Sequence, residues 1–98
     1  MYRMLFAVVA ACSHPPPHAT AVDAQRANVA LDELTRGRTL LIEKCSGDGG
    51  CHRTPLPQDA RATEWPEHVA DMAERSKITA HQKELIEQYL VVMSVGAR

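Results

Sequence analysis

Cys45-Ser46-Gly47-Asp48-Gly49-Gly50-Cys51-His52 is the stretch on which the reading of this chain turns. Three glycines among the five residues between the cysteines make it a loop. Its two thiols and one imidazole permit three chemistries. The thiols can form thioethers to the vinyl groups of a haem while the adjacent His52 ligates the iron. They can instead pair with each other as a disulfide across the loop. Or they can hold zinc with His52 and a fourth ligand such as His68. The spacing usual for covalent haem attachment is Cys-x-x-Cys-His. Here five residues separate the cysteines, so the motif by itself does not choose among the three.

Upstream of the loop, about Asp23 to Cys45 favours one helix. It has no proline, and Leu31, Leu34, Leu41, Ile42 and Cys45 recur at helical offsets. Gly37 interrupts it at a cost of about 1 kcal/mol relative to Ala, which points to close approach by another element. Downstream, Thr54 to Pro57 stays irregular. A second helix is expected from Thr63 as N-cap, with Pro66 tolerated in the first turn. Trp65, Val69 and Met72 then share a face, and His68 lies one turn before Met72. Thr79-Ala80-His81-Gln82 reads as a capping box. It opens a third helix with the apolar stripe Leu85, Ile86, Tyr89, Leu90 and Met93, and Gly96 is the expected stop. Strand patterning and internal repeats are both lacking, so the expected class is all α.

With 98 residues the chain has room for one small domain. Eleven basic and twelve acidic residues give a formal net charge of -1, without the basic excess of a nucleic-acid binder. Tyr2, Phe6, Trp65 and Tyr89 are the only aromatics. A domain with so few large apolar side chains is marginal on core burial alone and gains from a disulfide, metal or cofactor.

Within residues 1–11 one basic residue, Arg3, precedes a short apolar run. It is far shorter than the roughly 20 residues of a membrane-spanning helix and reads as a signal peptide. Val9-Ala10-Ala11-Cys12 resembles the bacterial lipobox, in which the cysteine is lipidated and becomes the new N-terminus. That resemblance implies an exported lipoprotein anchored through Cys12 and facing the periplasm, with Ser13 favouring the outer membrane over the inner. Residues 12–22 then form a lipidated cysteine and Pro-rich tether, since Pro15-Pro16-Pro17 favours a semi-rigid spacer. The folded domain is expected over residues 23–98. His14 and His18 are read as solvated tether residues.

From Leu34 to Met93 the order of features resembles small class I cytochromes c. Gly37, Leu40-Leu41 and Cys45 look like that family's first helix, in which a small residue lets the C-terminal helix cross closely. Tyr89, in Glu87-Gln88-Tyr89-Leu90, stands where the family places the aromatic that packs on this glycine. Trp65-Pro66-x-x-Val69-x-x-Met72 looks like short bacterial variants in which a tryptophan precedes the distal methionine. The resemblance implies a small cytochrome c-like domain of about three helices around a haem pocket. One covalent haem c would be attached through Cys45 and Cys51, with His52 as proximal and Met72 as distal iron ligand. His68 is the alternative distal ligand. Leu41, Leu56, Trp65, Val69, Leu85 and Tyr89 are the candidate pocket walls. The implied function is single-electron transfer between redox protein partners, not catalysis. The alternative is a haem-free structural or interaction lipoprotein closed by a Cys45–Cys51 disulfide.

Overall fold

The structure is a computed structural model and describes residues 15–45 and 54–97. Among the described residues it is all helical: α1 (Ala21–Ala27), α2 (Leu31–Cys45), a 3₁₀ turn (Pro57–Asp59), α3 (Trp65–Ser76) and α4 (Ala80–Ala97). No strand is present among them, as the periodicity predicts.

The region expected as one helix from Asp23 to Cys45 is two. Thr20 caps α1 in a reciprocal box: its hydroxyl accepts from Asp23 N at 3.3 Å, and its own N–H donates to the Asp23 carboxylate at 2.8 Å. Asn28 then ends α1 in the left-handed region, with φ 58°. Asparagine visits that region more readily than most residues, and Gly is not required. Val29 N–H reaches back to Ala24 O at 3.0 Å, satisfying a carbonyl the helix end would leave open. Arg26 ties this short helix to the far end of the domain by donating to Val92 O at 2.9 Å.

The main packing pair is α2 with α4. Gly37 is buried at their contact. A Cβ placed on it would overlap the Leu85 carbonyl oxygen and stand 2.9 Å from Tyr89 Cβ. The glycine is therefore what allows the two helices to approach so closely. Around it, Leu40, Leu41, Ala60, Trp65, Val69, Leu85, Ile86, Tyr89, Leu90 and Met93 form one core. The apolar stripe of the last helix is buried throughout, from Leu85 to Met93.

Two expected helix ends shift. Thr63 is not the cap of α3. The chain turns over residues 61–64, where Arg61 N–H donates to the Glu64 side chain at 2.9 Å, and the helix begins at Trp65 with Pro66 in its first turn. Gly96 does not stop α4, which runs through Ala97. The cap of α4 is as expected: Gln82 N donates to Thr79 Oγ1 at 3.1 Å and Thr79 N to Gln82 Oε1 at 3.0 Å.

The proline segment lies on the body of the domain. Pro16 is fully buried. Arg38 Nε donates to Pro16 O at 3.0 Å, and the Tyr89 hydroxyl donates to Pro17 O. Part of the stretch read as a semi-rigid Pro-rich tether is thus packed against α2 and α4. The expected signal peptide and Cys12, expected to be lipidated, lie outside the described residues, and no described helix is long and apolar enough to cross a membrane.

Candidate functional site

Helix α3 carries the site, and Trp65 sets its position. The buried indole N–H donates to Pro57 O at 3.0 Å. That carbonyl belongs to the 3₁₀ turn, which Asp59 closes twice: its N–H donates to Leu56 O at 2.9 Å and its carboxylate accepts from Leu56 N at 2.9 Å. Trp65 and Val69, four residues apart, both point into the core, with 3% and 1% of their surface exposed. This fixes the rotation of the helix and leaves His68 and Met72 on its flank.

His68 is exposed and Met72 half-buried. The His68 ring stands edge-on to Trp65, with centroids 5.7 Å apart and planes at 75°. Both side chains line a cleft of about 360 Å³, together with Pro55, Ala60, Trp65 and the carboxylate residues Asp59 and Asp71. Met72 also lies close to the end of its helix. The Ser76 hydroxyl donates to Met72 O at 2.8 Å, and Lys77 terminates α3 in the left-handed region at φ 51°.

The two rival distal residues thus meet in one place, while the other expected ligands are divided. Cys45 ends α2, half-buried against the core, and does not line the cleft. Loss of solvent pushes its thiol above the ordinary value, which lowers its thiolate fraction and slows its reaction with electrophiles. Cys51 and His52, together with the Gly-rich loop, lie outside the described residues. The chain returns from that segment at Thr54-Pro55, and Pro55 lines the cleft. Among the described residues no group of three or more His, Cys, Asp or Glu side chains could hold a metal ion. The zinc set would need Cys51 and His52 from outside them.

Two side chains of the cleft, His68 and Met72, are of types that can ligate haem iron, and they stand beside the carboxylates of Asp59 and Asp71. A Met thioether and a His imidazole are both used as axial ligands of haem iron. Trp65 and Ala60 supply apolar surface beside them, and the volume lies in the range of small-ligand clefts. The expected pocket walls are otherwise rearranged. Only Trp65 lines the cleft, while Leu41, Val69, Leu85 and Tyr89 pack on one another in the core.

One feature of the Gly37 contact is not readable from spacing: the tyrosine that packs on it spends its hydroxyl on the proline segment. The available signal is that a buried Tyr needs a partner for its O–H.

No family model matches this chain, and no curated protein or solved structure matches it.

Proposed function

We propose that this chain is a lipid-anchored, exported domain of cytochrome c-like fold that carries one covalent haem c and passes single electrons between protein partners. The observation that carries the reading is the cleft itself. Met72 and His68 meet there beside Trp65, and Pro55, which follows Cys51-His52 in sequence, forms part of the same lining.

Cys45 and Cys51 would hold the group covalently, and His52 and Met72 would ligate its iron. When bound, the haem supplies a one-electron redox couple. The chain's own work is to bind and tune. Trp65 and Ala60 exclude water from one side of the cleft, and a thioether ligand raises the potential where a second imidazole would lower it. With His52 and Met72 as its ligands, the group would serve the chain as a single-electron carrier. A net charge of -1 offers partners little long-range steering.

A second reading has its own support. Leu41, Val69, Leu85, Tyr89 and their neighbours already close a core with side chains alone. That suits a haem-free lipoprotein domain with a Cys45–Cys51 disulfide.

Intact mass and a reduced-minus-oxidised visible spectrum separate the two, after export in a host that matures c-type haem. The expected result is one haem of added mass that survives denaturation, with sharp reduced bands that His52→Ala abolishes. A colourless protein two hydrogens lighter than its reduced form would sink the electron-transfer reading and leave the disulfide.

A further inference from the structure

Residues 15–20 reach the first helix by crossing the junction of α2 and α4. Pro16 is fully buried there. Its carbonyl accepts from Arg38 Nε at 3.0 Å, and the next carbonyl, of Pro17, accepts from the buried Tyr89 hydroxyl. Tyr89 and Arg38 lie on different helices, so the segment straddles the contact that Gly37 permits. Two successive carbonyls held by two side chains are a docked strap. A free polyproline spacer would keep its carbonyls in water.

We propose that this strap makes the α2–α4 junction the membrane-facing side of the domain, held against the bilayer that carries the Cys12 lipid. The inference rests on the lipid-anchor reading above and adds the face and the distance to it. Four residue steps separate Cys12 from Pro16. Fully extended they span at most about 14 Å. Were the segment free as far as Thr20, the leash would run on the order of 25 Å in polyproline form. A helical domain of this size is roughly 30 Å across. A free leash would let the body turn most of its faces toward the lipid. The docked one cannot pass around the body, so the face bearing Pro16, Arg38 and Tyr89 stays nearest the headgroups. The cleft on α3 is held in a fixed relation to the membrane as a result.

The test uses the exported full chain in phosphatidylcholine nanodiscs doped with a nitroxide-headgroup lipid, with amide signal loss read residue by residue. Intact mass first establishes the diacylglyceryl thioether on Cys12. The largest signal losses are expected around Arg38, Tyr89 and residues 18–20. A Gly-Ser insertion of about ten residues between His14 and Pro15 adds some 17 Å of flexible leash and leaves the domain untouched. It should flatten the pattern. Arg38→Gln with Tyr89→Phe should flatten it by releasing the strap. A lipidated chain with losses spread evenly over the domain, or centred elsewhere, overturns the orientation and spares the anchor reading. A chain that leaves the host without lipid on Cys12 overturns both.

Discussion

Gly37 shows how much one side chain decides here. A methyl group at this position meets a backbone carbonyl, at Leu85, and a Cβ, at Tyr89. Neither is the flexible end of a side chain, so α2 and α4 must separate to admit it. Overpacking of this kind costs about 1–3 kcal/mol, against a helix-propensity gain near 1 kcal/mol. Gly37→Ala is therefore expected to lower the melting temperature by several degrees, read by thermal unfolding at constant pH. An unchanged or raised melting temperature would mean that the helices do not meet as described. Tyr89, on the other side of that contact, gives a titration. Burial pushes its phenol from the ordinary 10.0 up to about 12, partly offset by Arg38. The folded state thus favours the neutral phenol. The stability this contributes is whole below pH 10 and is lost as pH rises through about 12. In a Tyr2→Phe background Tyr89 is the single phenol, and its phenolate absorbance should appear well above the usual range. The glycine's close approach was legible in the sequence, because a helix does not carry that residue without cost. The partner of the tyrosine hydroxyl was not, because no local rule links Tyr89 to Pro17 across the chain.

Element boundaries divide along the same line. The α4 cap was legible: Thr79 and Gln82 satisfy each other's backbone N–H groups through contacts three residues apart. Thr79→Ala removes half of that exchange and should cost about 1 kcal/mol, read by chemical denaturation with an unchanged slope. The break between α1 and α2 was not legible. Asn28 is compatible with either a continuous helix or a left-handed stop, and what selects the stop is distant. Arg26 reaches Val92 O on α4, while Leu34 and Gly37 of α2 are buried in the core. The start of α3 moved for a similar reason. Thr63 has the chemistry of a cap, but Trp65 must reach the Pro57 carbonyl, and the preceding turn is bent to allow it.

At the scale of the whole molecule, helix α3 places His68 and Met72 in one cleft, and the choice of iron ligand becomes a measurable difference. Under the haem reading, Met72→His should lower the reduction potential markedly, since a second imidazole replaces the thioether. His68→Ala should leave the potential nearly unchanged. The reverse pattern would make His68 the ligand. Potentiometric titration of the exported protein decides it. The sequence by itself determined the helical class, the apolar face of the last helix and the motif that nominates Cys45, Cys51 and His52, because periodicity, capping and ligand chemistry act over a few residues. Only the tertiary structure decided which side chains close the core and which line the cleft. It alone laid the prolines down as a strap on Arg38 and Tyr89. Those outcomes depend on which surfaces meet when distant helices pack, and burial and hydrogen-bond satisfaction at such contacts are properties of the assembled chain.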